Sequence, residues 1–172
     1  RGQQCRDFTD VPQWMADMCI YFGPFDAERN APMLEHKVAC NYRIINDMER
    51  IFGQKFDDEK FKELIQKSEQ ITEYGEEITY LMATTKPSPL SVKDLYSVYT
   101  IGGLTKVDPD ATVEFWKMVR DEVKWRAENH IAAVGNERYR WMEAHPPSWH
   151  FLKYYRYMEK YGAVCIGSQY SS

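Results

Sequence analysis

The sequence predicts a mainly α-helical chain that closes in one β-α-β unit, a partial α/β lobe with a helical insert. Three observations predict it. Apolar residues recur at spacings of three and four through most of residues 30–133. A near-continuous apolar run, Ala163–Ile166, follows a glycine stop at Gly162, as in a parallel strand covered on both faces. Ahead of it, Tyr139 and Trp141 alternate with Arg140 and Met142, which suits a strand with unequal faces.

Bulk properties narrow the class. With 172 residues, 44 % of them hydrophobic and 15 % aromatic, the chain has material for a real core and is not of disordered composition. The net charge is −4 and the basic residues are scattered among acids, so no nucleic-acid footprint is expected. No apolar run is long enough to cross a bilayer, and the start lacks the layout of a signal peptide. Cys5, Cys19, Cys40 and Cys165 form no CxxC pair and read as reduced, packed thiols. The four histidines lack HxxxH and HExxH spacing, so no metal ligand is assigned. The chain runs from Arg1 to Ser172, and both ends read as cuts in a longer polypeptide.

In order, Cys5–Trp14 suggests a short strand and a loop, and Gly23-Pro24 a corner. Asn30 is the expected N-cap of a first helix, with Pro32 in its first turn and a stop at Gly53. Its stripe is Leu34, Val38, Tyr42, Ile45, Met48 and Phe52. Asp57 or Asp58 opens a second helix ending near Thr85, striped by Phe61, Leu64, Ile65, Ile71, Ile78 and Leu81. The short connection predicts an antiparallel hairpin in which the stripes bury one another.

Lys86-Pro87-Ser88-Pro89 forces extended backbone. Ser91 is placed to cap a short helix through Tyr99, and Ile101–Leu104 reads as a turn. Its double glycine lacks the context of a phosphate-binding loop, so a flexible corner is the expected role. Asp108-Pro109 opens a long helix to about Ala133, and Gly135 ends it.

In the C-terminal unit, His145-Pro146-Pro147 ends the first strand because proline donates nothing to a ladder. Ser148 is the expected N-cap of a helix carrying Phe151, Leu152, Tyr155 and Met158. If the strands are parallel, loops His145–Ser148 and Gly167–Ser172 leave the same sheet edge. Free N–H groups at Ser148 would favour an anion or carbonyl oxygen there, and Trp149 and Tyr170 would supply flat walls. His145 is the weak candidate for a catalytic proton donor, against the commoner role of a packed histidine. Glu143 and His145 share one strand face. No nucleophile–base pair and no carboxylate dyad accompanies them.

Lys86–Leu90 (KPSPL), Val98–Leu104 (VYTIGGL), the stretch ERYRWMEAHPPSW and the stretch EKYGAVCIGSQYS together resemble a benzoyl-CoA reductase subunit. More broadly, they resemble the 2-hydroxyglutaryl-CoA dehydratase D-component (2-hydroxyacyl-CoA dehydratase) family. Asp10–Pro12 and Glu49–Ile65 fit that family's order, so the resemblance spans nearly the whole chain.

The resemblance implies two Rossmann-like lobes with helical additions. Residues 1–29 would end the first lobe, 30–135 form the helical insert and 136–172 start the second lobe. It also implies an acyl-CoA substrate, with Pro147, Ser148, Trp149, Ser168 and Tyr170 as its binding wall. It implies a 4Fe-4S cluster whose ligands lie outside this segment, a partner subunit in a heterodimer, an ATP-dependent activator protein and a cytoplasmic, anaerobic setting. His145 stands where relatives more often have glycine. Ring reduction of an aromatic acyl-CoA and dehydration of a 2-hydroxyacyl-CoA both stay open, with PPSW and GSQY nearer the former. The expectation from another class is a non-catalytic helical interaction module. The segment alone is expected to be inactive.

Overall fold

The computed structural model describes residues 27–144, 147 and 149–169. The predicted strand near Phe8, the Gly23-Pro24 corner, Cys5 and Cys19 lie outside these. The chain divides into two compact units, residues 1–58 and 59–172.

In the first unit, α1 spans Ala27–Phe52. It starts three residues before the expected cap, so Asn30 lies inside it and Pro32 falls beyond the first turn. Ala27, Glu28 and Arg29 tolerate helix well, and the bond that Pro32 cannot donate is forgone. Gly53 closes the helix at φ 64°, its N–H donating to the Glu49 carbonyl at 2.9 Å. Glu49 then fixes the exit, accepting from Lys55 Nζ at 2.6 Å and from the Phe56 N–H at 2.8 Å. In the predicted stripe of α1, Leu34 is 63 % and Phe52 65 % exposed, and Val38, Tyr42 and Met48 are exposed as well. At the start of the second unit, Phe61 and Ile65 are exposed too. Periodicity gathers apolar residues on one face without supplying a cover for it.

The second unit holds the core. Helix α2 spans Asp58–Thr84 and buries Ile78 and Met82 near its carboxyl end. These pack with Val92, Leu95, Trp116 and Val123, and the cluster continues to Tyr96, Tyr155 and Cys165. The Lys86–Leu90 segment is part of this core. Ser88 is fully buried; its N–H donates to Glu137 at 2.5 Å and its hydroxyl lies 3.1 Å from the Met82 carbonyl. Arg140 donates to the carbonyls of Ala83 and Thr85 and to Glu137, which ties the following strand to the end of α2.

Ser91 precedes α3, Val92–Tyr96, but its hydroxyl reaches the Asp94 carboxylate at 2.9 Å rather than a backbone N–H. The helix stops short of Tyr99, and Tyr99–Lys106 forms a 3-10 helix that includes both glycines. This segment is thus an ordered turn of helix and not a flexible corner. Thr105 Oγ1 closes it on the Gly102 carbonyl at 2.7 Å, and the Trp116 ring lies against Gly102. Helix α4, Pro109–Glu128, is capped by Asp108, which accepts from the Ala111 N–H at 3.0 Å. It ends earlier than Ala133 because His130 turns left-handed at φ 55° and the Ala133 N–H donates to Ser88 instead, at 2.8 Å.

Strands β1 (Tyr139–Glu143) and β2 (Ala163–Ser168) pair in parallel, as the sequence predicts. Their register runs from Tyr139 opposite Ala163 to Glu143 opposite Ser168, with an irregularity between Trp141 and Met142. The crossover between them differs in detail. Trp149–Phe151 is a 3-10 turn, and α5 covers only Lys153–Lys160 with Leu152 at its N-cap. Gly162 ends it at φ 81°, where a Cβ would stand 2.2 Å from the Asn136 carbonyl oxygen. The Gly162 carbonyl accepts from Arg138 and Tyr139 at 2.7 and 3.0 Å, so one glycine joins helix stop to strand start.

Candidate functional site at the carboxyl edge of the parallel strands

Glu143 and Ser168 are the last residues of β1 and β2 and sit opposite each other in the register. The Gln169 N–H donates to the Glu143 carbonyl at 3.0 Å, extending the ladder by one bond. Ligands of open parallel sheets gather at this edge, where the strand ends give way to loops.

The Glu143 side chain is a hub. Its Oε1 accepts from Tyr154 at 2.7 Å, and its Oε2 accepts from Tyr155 and Tyr96, both at 2.6 Å. Tyr96 Oη also lies 2.6 Å from Ser168 Oγ. Helices α3 and α5 and both strands therefore meet on one carboxylate. Burial alone would raise the Glu143 pKa, but hydrogen bonds from Tyr155, Tyr96 and Tyr154 outweigh it and hold the carboxyl below its ordinary value. The phenols shift the opposite way. Burial, followed by the hydrogen bond to Glu143, pushes Tyr96 and Tyr155 far up. At neutral pH the site is one carboxylate held by three neutral phenols.

Aromatic rings surround this hub. Tyr155 stacks on Trp141 with centroids 5.5 Å apart and on Tyr154 at 4.2 Å. On the other side Tyr96 tilts against Trp149 at 5.4 Å, and Tyr99 stacks on Trp149 at 5.4 Å and 21°. Trp149 keeps 44 % of its surface exposed, so an aromatic face borders the edge.

Of the expected site residues, Ser168 is buried within the hub, Trp149 lies beside it and Pro147 is buried. His145, Ser148 and Tyr170 lie outside the described residues. The expected row of free N–H groups from Ser148 onward is corrected: the Trp149 N–H donates to the Pro147 carbonyl at 2.9 Å, and the α-helix begins only at Lys153. Sequence reading missed Tyr96 and Tyr154, and noted Glu143 without a role. The signal for it was an acid closing an aromatic strand, with two adjacent tyrosines on the next helix.

Cys165 is buried mid-strand, its thiol 3.5 Å from the Gly167 carbonyl, and burial pushes it up to about 12. It is a packed thiol with no tendency to ionise at neutral pH. Among the described residues, no three His, Cys, Asp or Glu side chains come together as a metal site. No described helix is long and apolar enough to cross a membrane.

A parallel strand pair with a polar hub and an aromatic face at its carboxyl edge has the layout at which open α/β sheets gather ligands. Residues 4–172 match the family described as 2-hydroxyglutaryl-CoA dehydratase, D-component, and the chain belongs to that family. It is similar to the alpha subunit of (R)-2-hydroxyisocaproyl-CoA dehydratase from Clostridioides difficile, with 27 % identity over 128 residues. That match covers 73 % of this chain but 31 % of the relative.

Proposed function

We propose that this chain works within a subunit of a 2-hydroxyacyl-CoA dehydratase, and that the edge at Glu143 and Ser168 is one wall of its acyl-CoA site. The observation that supports this is the pairing of a buried polar hub with the half-exposed Trp149 at the strand ends, in a chain of this family. The wall we assign comprises Pro147, Trp149 and Ser168; Ser148 and Tyr170 join it, and His145 is the candidate proton donor, on the sequence resemblance alone. A flat indole offers a stacking surface for the adenine ring or for an aromatic acyl group.

The 4Fe-4S cluster that the family implies does not fit the described residues. Cys40 and Cys165 are both buried, on separate units, and no ligand cluster forms around either. We assign its ligands to other parts of the subunit, and the partner subunit and ATP-dependent activator follow from the family resemblance alone. This segment's share of the work is binding and orienting the thioester.

A second reading, reduction of an aromatic acyl-CoA, is favoured by Pro146–Trp149 and Gly167–Tyr170, which resemble the ring-reducing branch. The full-length subunit, purified anaerobically with its partner and activator, decides between them. Conversion of (R)-2-hydroxyisocaproyl-CoA to the enoyl-CoA with loss of water is the expected result. Turnover of benzoyl-CoA alone supports the second reading, and turnover of neither compound rejects both.

A further inference from the structure

We infer that Glu143 is a positioning residue that orients Trp149 through Tyr96. The inference rests on the reading of this edge as an acyl-CoA wall. An ionised carboxylate accepts hydrogen bonds and donates none, so Glu143 sets the direction of every bond around it. Tyr154, Tyr155 and Tyr96 all donate to it, at 2.7, 2.6 and 2.6 Å. Tyr96 has one hydroxyl proton and gives it to Glu143. Its 2.6 Å contact with Ser168 is then completed by the Ser168 hydroxyl donating back to the Tyr96 oxygen.

Tyr96 is thereby pinned at its tip, and its ring is held edge-on by Tyr155 at 6.1 Å and Tyr99 at 6.2 Å. That ring lies against Trp149, as does the ring of Tyr99. The backbone around Trp149 gives little help, since it lies in a three-residue 3-10 turn ahead of α5. The exposed indole thus leans on Tyr96, and Tyr96 is anchored by Glu143. Replacing Glu143 with Gln keeps the shape but exchanges one acceptor oxygen for an amide donor, so the three phenols can no longer all donate to this side chain.

The test is a double-mutant cycle in the full-length protein, with coenzyme A as the probe and calorimetry as the readout. Trp149→Ala is expected to weaken coenzyme A binding about tenfold, the scale of one lost base–aromatic stack. Glu143→Gln is expected to weaken it similarly, and the double variant to bind no worse than Trp149→Ala alone. Arg140→Ala, which loosens the core away from this edge, is expected to lower Tm while keeping the affinity. Wild-type affinity in Glu143→Gln, or losses that multiply in the double variant, overturns the inference. If Glu143→Gln does not fold, Tyr96→Phe takes its place in the cycle. A wild-type protein that ignores coenzyme A overturns the acyl-CoA reading alone. The coupling is then read from acrylamide quenching of the Trp149 contribution to fluorescence, which Glu143→Gln should increase; unchanged quenching overturns it.

Discussion

Helix α1 and the carboxyl edge of β1 and β2 are both rich in large side chains, and they use them in opposite ways. On α1, Leu34, Val38, Tyr42, Met48 and Phe52 follow a regular helical stripe and all remain exposed. At the strand edge, Tyr96 and Tyr155 follow no common period and are buried. The α1 stripe comes from one stretch of sequence. The strand-edge cluster draws on α3, β1, α5 and β2, with partners separated by as many as 72 positions. Periodicity thus reports which residues share a face. Burial depends on whether distant elements converge on them, and here the convergence is organised by one carboxylate.

The sharpest way to break the strand edge is at its hinge. In Gly162→Ala the new Cβ would meet the Asn136 carbonyl oxygen at 2.2 Å in a backbone held at φ 81°. The carbonyl is main chain and cannot swing aside, so the loss is expected to exceed about 4 kcal/mol and to abolish cooperative unfolding. A melting curve like the wild type's would show that the β1–α5–β2 crossover is looser than described.

Glu143→Ala comes next. It removes the shared acceptor of three hydroxyls in a part-buried site. The expected cost is about 3–5 kcal/mol, against about 1.5–3 kcal/mol for Tyr155→Phe, which removes a single bond to a charged group. Chemical denaturation monitored by near-ultraviolet circular dichroism measures both. Equal losses would mean that the hub is carried by Tyr155 alone.

The same hub predicts a pH window. The Glu143 carboxyl is held below its ordinary 4.5, so its contribution is full above that value and is lost as pH falls through the folded pKa. Tyr96 and Tyr155 are held above their ordinary 10.0, so theirs is full below that value and declines as pH rises past it. The hub's contribution to Tm should therefore be constant between these limits and fall on both sides. In Glu143→Gln the acid-side fall should be smaller, and a wild-type acid limb there would place the titrating group elsewhere.

Much of the fold was legible because it is local. Gly162, the Ala163–Ile166 run and the alternation from Tyr139 predict a parallel β-α-β unit, and Asp108-Pro109 predicts the start of α4. The end of α4 and the 3-10 form of Tyr99–Lys106 were not legible. They are set by Ala133 bonding to Ser88 and by Trp116 lying on Gly102, both contacts between separate segments. At the site, Trp149 and Ser168 were found from their place at strand ends. Tyr96 was not, since nothing near it in sequence shows that its hydroxyl meets Glu143, 47 positions away.

The smallest effect is expected on α1, and it tests the other side of the comparison. Tyr42 is 63 % exposed in the middle of the stripe, so Tyr42→Ser removes little buried surface. Serine costs a few tenths of a kcal/mol in helix propensity, and the total should stay within about 0.5 kcal/mol. In Tm that is about 1–2 °C for a chain of this size, readable by calorimetry beside Tyr155→Phe. A loss comparable to that of Tyr155→Phe would mean that the α1 stripe is covered in solution. The two regions would then differ in what covers them and not in whether they are covered.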